Sequence, residues 1–240
     1  MIHGCGLEGM EHLAPGSVDM VLCDLPSGET AAAFDVPVDL TRFFALARRC
    51  LKLDGTMLLM ASSFRFAAQL VDHGQDWYRY DMVWKKSIAT GFMNTKHRPL
   101  RAHEFALVFF RKQGTFNPQM VETGVPIHKN STRGRVQSVN YGSQYSDAGI
   151  AREGATDRFP RSVLDTPCLG VRSPKRHHPQ QKPDELFRSW IRTYTNPGEL
   201  VIDPCAGSGT TERAATAEGR QSICWDIQER FAAPKEVSNG

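Results

Sequence analysis

The sequence predicts an α/β protein built around a largely parallel sheet. Short apolar runs alternate with stretches of helical periodicity, the pattern of consecutive β–α units. Two of these runs end in a carboxylate and a tight turn, because Asp24 follows Val18–Cys23 and Asp203 follows Leu200–Ile202. Ligands of open α/β sheets bind at the carboxyl ends of the strands, so the same pattern predicts where a site should lie.

Each element is assigned from its periodicity and its boundary residues. Continuous apolar runs bounded by turn residues indicate buried strands, and longer periodic runs ended by glycine or begun after Pro183 indicate helices. In order, the prediction gives a strand over 2–5, a strand over 18–23, a helix over 40–53, a strand over 56–60 and a helix over 64–71. It continues with strands over 80–84 and 105–110, a helix over 184–194, a strand over 200–202, a helix over 209–218 and a strand over 221–225.

Composition indicates one globular domain, residues 1–240, with a substantial core. Hydrophobic residues make up 40% of the chain and charged residues 23%, which is ordinary for such domains. No apolar run approaches the roughly 18 to 20 residues that cross a bilayer, and the first residues do not resemble a signal peptide. Six cysteines occur without a C-x-x-C pair. We therefore expect a cytoplasmic protein with free thiols, no membrane association and no metal site.

The C-terminal motif predicts a nucleoside site. A Gly-x-Gly turn, Gly207-Ser-Gly209, separates the strand ending at Asp203 from a helix, and glycine lets the backbone approach a ligand closely. About 23 residues further on, Asp226 ends a second strand, the position at which a Rossmann-type fold binds ribose hydroxyls. Glu212 stands where a dinucleotide fingerprint would need a third glycine, and no Gly-Lys-Ser/Thr follows. A nucleoside ligand without a pyrophosphate fits best.

Together these segments resemble those of S-adenosylmethionine-dependent amino-methyltransferases that act on DNA. Asp24-Leu-Pro-Ser27 resembles their Asp-Pro-Pro-Tyr motif, and Asp203-Pro-Cys-Ala-Gly-Ser-Gly209 is similar to their cofactor-binding motif. The segment from His178-Pro-Gln-Gln-Lys-Pro183 to Tyr194-Thr-Asn-Pro-Gly198 is similar to the one that precedes that motif. The order, catalytic motif first, is similar to that of their permuted β group. The resemblance covers nearly the whole chain and implies a circularly permuted Rossmann-like methyltransferase sheet.

For the cofactor S-adenosylmethionine, the resemblance implies three kinds of contact. Lys182 would reach the methionine carboxylate and Asp226 the ribose hydroxyls. Related enzymes often carry an acidic residue near the cofactor adenine where this chain has Cys5. The residues implied around the methionine and the ligand backbone are Asp203, Pro204, Ala206, Gly207, Gly209 and Thr210.

For the reaction, the resemblance implies direct methyl transfer to an exocyclic amine of a flipped base. The amine is a poor nucleophile, because its lone pair is delocalised into the ring. Asp24 would accept one N–H and the carbonyl of Leu25, held by Pro26, would accept the other. Aspartate at the first motif position favours adenine N6; N4-cytosine specificity is the alternative. Without the resemblance, Asp24 could equally be a residue that ends a strand in a turn.

Ser27 departs from the motif, since the family usually has an aromatic residue there that stacks on the base. Such stacking is worth roughly 1–3 kcal/mol per base. Three residues are candidate substitutes, Phe34, Trp84 and Phe92, although each is by default a core residue. The other possibility is a catalytically impaired homologue that still binds cofactor and DNA.

The polar segment 113–176 is predicted to be an inserted target-recognition lobe. Within 128–176, nine Lys/Arg stand against four Asp/Glu, and the difference of +5 exceeds the net charge of +3 for the whole chain. A polyanion such as DNA would explain this charge, with Arg133, Arg135 and Arg101 as candidate contacts; a solvated insertion is the alternative. A homodimer and a separate restriction endonuclease are further partners that we consider.

Overall fold

The computed structural model describes residues 1–30, 32, 35–126, 154–170 and 181–228. Five α-helices occur in these parts of the chain: α1 (Gly6–Glu11), α2 (Leu40–Cys50), α3 (Phe64–Gly74), α4 (Asp184–Tyr194) and α5 (Thr210–Ala217). The strands of the same parts are β1 (Ile2–His3), β2 (Val18–Cys23), β3 (Leu51–Ala61), β4 (Tyr78–Thr90), β5 (Arg101–Phe110), β6 (Val121–Glu122), β7 (Asp157–Arg158), β8 (Val163–Leu164), β9 (Leu200–Asp203) and β10 (Gln221–Asp226).

The main sheet has eight strands in the order β1-β10-β9-β2-β3-β5-β4-β8. Its first five strands are mutually parallel, whereas β5 runs antiparallel between β3 and β4. The carboxyl ends of β2, β4, β9 and β10 therefore lie along one edge, together with the start of β5. This arrangement confirms the predicted α/β fold with a mostly parallel sheet.

Helices cover both faces of the sheet, and successive strand residues alternate between two apolar layers. In β2, Val21 belongs to the layer that contains Phe43 of α2 and Phe66 of α3. The next residue, Leu22, belongs to the layer that contains Trp190 of α4 and Ala214 of α5. A strand buried on both faces has no polar alternation, which explains the unbroken apolar runs over 20–23 in β2 and over 57–61 in β3.

Most predicted elements occur, and their boundaries differ for local reasons. The strand over 18–23 and the helix over 184–194 are confirmed. The helix predicted over 40–53 ends at Cys50, because Leu51 takes extended geometry and pairs with Val18 of β2. The strand predicted over 2–5 stops at His3, since the chain turns there into α1, a six-residue helix that was not predicted.

A second compact unit comprises residues 118–160, and the remainder of the chain forms the first unit. The antiparallel pair of β6 and β7 lies in this second unit. Of the segment predicted as a lobe, 113–176, the strand β8 belongs instead to the main sheet, where Val163 pairs with Val83. The role of the lobe in target recognition stays a prediction.

Among the described residues, no helix has the length and apolar character needed to span a membrane.

Candidate active site

The strand β9 ends in Asp203, whose carboxylate is buried beneath the glycine turn. One oxygen, Oδ1, accepts a hydrogen bond from the backbone N–H of Cys205 at 3.0 Å. The other, Oδ2, accepts one from the hydroxyl of Thr211 at 2.5 Å. Burial nevertheless raises the pKa of Asp203 to about 6, because these bonds only partly replace hydration. Asp203 therefore fixes the shape of the turn from below.

The glycine turn is held open above Asp203. Gly207 and Gly209 have φ angles of +50° and +72°, a region that side chains disfavour, and a Cβ on Gly207 would meet nothing within 4 Å. The N–H of Gly207 donates to Oδ2 of Asp226 at 2.8 Å, and that of Ala206 donates to the carbonyl of Trp225 at 2.8 Å. The turn is thus a preformed cradle of backbone with free space above it, which fits a nucleoside cofactor.

The other predicted cofactor residues surround this cradle. The second oxygen of Asp226, Oδ1, accepts from the N–H of Gln228 at 2.7 Å, and each carboxylate oxygen retains a lone pair for a further donor. Thr210 is buried at the start of α5. Pro204 lies against α1, because a Cβ on Gly6 would come within 2.0 Å of its carbonyl oxygen. Cys5 is half-buried and directly precedes α1.

The second predicted motif begins at the carboxyl end of β2, the neighbour of β9 in the sheet. Asp24 and Asp203 therefore follow or end adjacent parallel strands. The side chain of Asp24 is 33% exposed, whereas Leu25 behind it is buried. The predicted reacting carboxylate thus lies beside the predicted cofactor cradle, with one side open to solvent.

The turn after Pro26 is organised by Asp35, which sequence reasoning missed. Its carboxylate accepts hydrogen bonds from the N–H groups of Gly28 and Thr30, both at 2.8 Å, and from the Thr30 hydroxyl at 2.7 Å. These bonds lower the pKa of Asp35 against the opposing effect of its partial burial. The hydroxyl of Ser27 accepts from the N–H of Glu29 at 3.3 Å. Ser27 is therefore part of this turn.

Lys182 lies at the centre of a cluster of charged side chains beside Asp24. Its Nζ is 2.7 Å from Oδ2 of Asp24 and 3.1 Å from Oε2 of Glu104, and Lys86 lies 3.2 Å from the other oxygen of Glu104. Burial raises the pKa of Asp24, while the neighbouring ammonium of Lys182 lowers it. Sequence reasoning gave no role to Lys86. In the register of β4 and β5, Trp84 lies opposite Glu104, and Lys86, two residues further along β4, reaches the Glu104 carboxylate diagonally.

The predicted residues that would contact DNA fall into three groups. Phe92 is 78% exposed and Phe64, which was not predicted, is 75% exposed, whereas Trp84 is 3% exposed and donates its indole N–H to the carbonyl of Thr166. Arg101 begins β5 and donates to the carbonyl of Ser62. The remaining candidates, Phe34, Arg133 and Arg135, lie outside the described residues.

In the described part of the chain, no group of three His, Cys, Asp or Glu side chains could hold a metal ion.

Comparison with known proteins identifies the family. A family described as DNA methylase matches residues 37–235. DNA adenine methyltransferase YhdJ of Escherichia coli K12 is 26% identical over 246 residues, which cover 96% of this chain and 79% of that protein. The type II methyltransferase M.XycI of Xanthomonas campestris pv. cyanopsidis is 31% identical over 177 residues, 72% of this chain but only 47% of that enzyme.

The fold is shared with solved structures. The M1.HpyAVI–SAM complex superposes with a TM-score of 0.62 at 21% sequence identity, over 95% of this chain and 93% of the other. The family match covers the cofactor turn and most of the sheet, and the YhdJ alignment covers nearly the whole chain. The chain therefore belongs to the family of S-adenosylmethionine-dependent DNA amino-methyltransferases.

Proposed function

We propose that this protein methylates the N6 amine of adenine in DNA. The observation that carries the proposal is the placement of Asp24, a partly exposed carboxylate at the end of β2, beside the glycine cradle that follows β9. When bound, S-adenosylmethionine supplies an electrophilic methyl group on its sulfonium. The contribution of the chain is to hold the acceptor amine at the correct distance and to accept its hydrogen bonds.

Within the described residues, Oδ1 of Asp24 has no hydrogen-bond partner, because the contact with Lys182 uses Oδ2. A flipped adenine could donate one N–H to this oxygen and the other to the carbonyl of Leu25. Both bonds favour a tetrahedral nitrogen whose lone pair is available for attack. The carboxylate is then also placed to receive the proton that the amine loses on methylation.

Cofactor binding is assigned to the cradle and its surroundings. We propose that Asp226 binds the ribose hydroxyls, and that the segment Asp203, Pro204, Ala206, Gly207, Gly209 and Thr210 surrounds the methionine part, with Cys5 near the adenine. Support comes from the open space above Gly207 and the unused lone pairs of Asp226. Asp226→Ala should weaken cofactor binding about tenfold in equilibrium titration, the cost of about one charge-assisted hydrogen bond.

Adenine specificity is supported by aspartate at the first motif position and by the name of the Escherichia coli relative, which is a DNA adenine methyltransferase. The test is transfer of labelled methyl groups to unmethylated DNA, followed by digestion to nucleosides. We expect label only in N6-methyl-2′-deoxyadenosine. Label in N4-methylcytosine would overturn the base assignment while leaving the family intact.

A catalytically impaired homologue is the second candidate, and Ser27 is the observation that favours it. Ser27 cannot stack on a base, so in an active enzyme an aromatic residue elsewhere in the chain must stack on the flipped base. We propose Phe92 or Phe34 for this role, supported by the high exposure of Phe92; the equally exposed Phe64 serves as the matched comparison. Phe92→Ala or Phe34→Ala should reduce capture of the base, and Ser27→Tyr should add little. Cofactor and DNA binding without any transfer in the labelled assay would favour the impaired homologue.

DNA contact is proposed for the basic lobe within 113–176 and for Arg101 at the start of β5. The excess of positive charge over 128–176 is the support for the lobe. A homodimer and a separate endonuclease stay predictions, with a solitary modifier as the alternative to the restriction pair. Sedimentation of the purified protein tests the first and co-purification the second.

A further inference from the structure

We infer that Lys182 orients the carboxylate of Asp24 and keeps it ionised. Glu104 and Lys86 hold Lys182 in place for this purpose. This inference rests on the proposed function, and it assigns Lys182 a role different from binding the methionine carboxylate. Side chains of alternating charge form a continuous row along the edge of the sheet at which the parallel strands end. The row runs from the end of β2 across to β5 and β4.

The geometry of the row is tight and its members are well buried. The successive nitrogen–oxygen distances are 2.7 Å from Asp24 to Lys182, 3.1 Å from Lys182 to Glu104 and 3.2 Å from Glu104 to Lys86. The side chains of Lys182, Glu104 and Lys86 are only 12%, 10% and 6% exposed. Charges so far from water are stable only when they are paired, and two ammonium groups here balance two carboxylates.

This balance argues against a cofactor carboxylate at Lys182. The ammonium nitrogen of Lys182 already has two carboxylate oxygens close by, at 2.7 Å from Asp24 and 3.1 Å from Glu104. A third carboxylate at the same nitrogen would make three negative charges around one positive charge in a site with little water. Repulsion between these carboxylates would oppose binding, so Lys182 is better suited to a permanent protein partner.

The contact also orients the reacting carboxylate. Lys182 holds Oδ2 of Asp24 and leaves Oδ1 available to the acceptor amine, and the Asp24 side chain as a whole is 33% exposed. A carboxylate that rotated freely would present the required oxygen only part of the time. The ammonium thus does two things for Asp24. It fixes the direction of the free oxygen, and it favours the ionised form, which accepts the hydrogen bond of the amine more strongly than the protonated form does.

The charged groups that face Asp24 act in opposite directions. Lys182 favours its ionisation, whereas the carboxylates of Glu104, Asp35 and Asp203 oppose it. Removing Lys182 would leave Asp24 with burial and three carboxylates, so its pKa should rise. Removing the charge of Glu104 while keeping an acceptor for Lys182 should lower it. A purely structural role for the cluster would not produce two shifts of opposite sign.

The experiment measures the single-turnover rate of methyl transfer to DNA against pH, at saturating cofactor, together with the equilibrium Kd for S-adenosylmethionine. For Lys182→Met we expect the acidic limb of the profile to move up by about 1–3 pH units, with a Kd within threefold of wild type. For Glu104→Gln we expect the limb to move down. Asp203 also titrates in this pH range, but it is present in every variant. The role of Lys182 is therefore judged from the differences between the pH profiles of the variants and that of the wild type.

Matched controls separate this role from general damage. Lys52 forms an ion pair of 2.6 Å with Asp19, and Lys52→Met should leave both the limb and the Kd unchanged. Lys182→Arg keeps the positive charge and should retain the wild-type limb, which keeps the test valid if Lys182→Met fails to fold.

Two outcomes would overturn the inference: a Kd raised tenfold or more in Lys182→Met with an unmoved limb, or limbs that move in the same direction in Lys182→Met and Glu104→Gln. Either result can occur with an active wild-type enzyme. Absence of adenine methylation by the wild-type protein would instead refute the proposed function itself.

Discussion

At the residue scale, two carboxylates on neighbouring strands have opposite environments. Asp24 is 33% exposed and next to an ammonium group, whereas Asp203 is buried and bonded only to neutral donors. The two side chains are chemically identical, so it is the surrounding protein that decides the role of each carboxylate. We therefore expect substitutions at the two positions to affect different measurements.

Asp24→Ala should abolish methyl transfer and leave cofactor affinity within a few-fold, because this carboxylate acts on the acceptor amine. Transfer of labelled methyl groups and equilibrium titration measure the two effects. Asp76, whose side chain is 76% exposed and pairs with Arg48, supplies the control variant Asp76→Ala, which should keep full activity. Substantial turnover by Asp24→Ala would refute the assigned mechanism.

Asp203 should make folding stability depend on pH in an unusual direction. Its pKa is raised to about 6 in the folded protein, above its ordinary value of 3.8, so the folded state binds the proton more tightly. The resulting stabilisation is fully present below about pH 3.8, declines as pH rises and is lost above about pH 6. Its full size is about 3 kcal/mol, at about 1.4 kcal/mol per pKa unit.

The measurement is the difference in free energy of unfolding between wild type and Asp203→Asn, followed from about pH 4 to about pH 7.5 so that the interval between the two pKa values is covered. The wild type should lose stability relative to the variant as pH rises over this range. A difference that is constant with pH would show that Asp203 is ionised in the folded protein throughout.

At the element scale, the short helix α1 supports the cofactor turn through Gly6. A Cβ at this position would approach the Pro204 carbonyl oxygen at 2.0 Å, so Gly6→Ala must displace either α1 or the turn. We expect a loss of about 1–3 kcal/mol in unfolding free energy and weaker cofactor binding. Gly170→Ala, where a Cβ meets nothing within 4 Å, is the control and should change neither. Cofactor affinity unchanged in Gly6→Ala would mean that α1 does not support the site.

The sequence was sufficient for elements whose signals are local. The helix α4 has acidic residues in its first turn and follows Pro183, and its predicted bounds are confirmed. Boundaries that depend on which strands pair could not be predicted from the local sequence. One example is the end of α2 at Cys50, which is set by the pairing of Leu51 with Val18. The same holds at the site, where the motifs indicated Asp24 and Asp203 but the contact of Lys182 with Glu104 depends on how β5 packs.

At the scale of the whole molecule, DNA binding should depend steeply on salt. Each phosphate neutralised by an arginine contributes about 0.9 to the slope of log K against log salt concentration. Arg133→Gln combined with Arg135→Gln should therefore reduce the slope by about 2. The pair Arg42→Gln and Arg48→Gln, on exposed positions of α2 that already pair with acidic residues, is the control. Equal slopes for the wild type and the Arg133/Arg135 variant would show that these residues do not contact the backbone.

The order of strands in the main sheet also has a consequence for how the chain folds during synthesis. Residues of β2 near the start of the chain pair with β9, where Met20 lies opposite Val201, and β1 pairs with β10. Strands β2 to β5 leave the ribosome long before β9 does, so one edge of β2 has no strand to pair with until β9 emerges. Long-range pairing of this kind slows folding and exposes a strand edge to aggregation. The nascent chain should therefore need chaperone protection until its last two strands emerge.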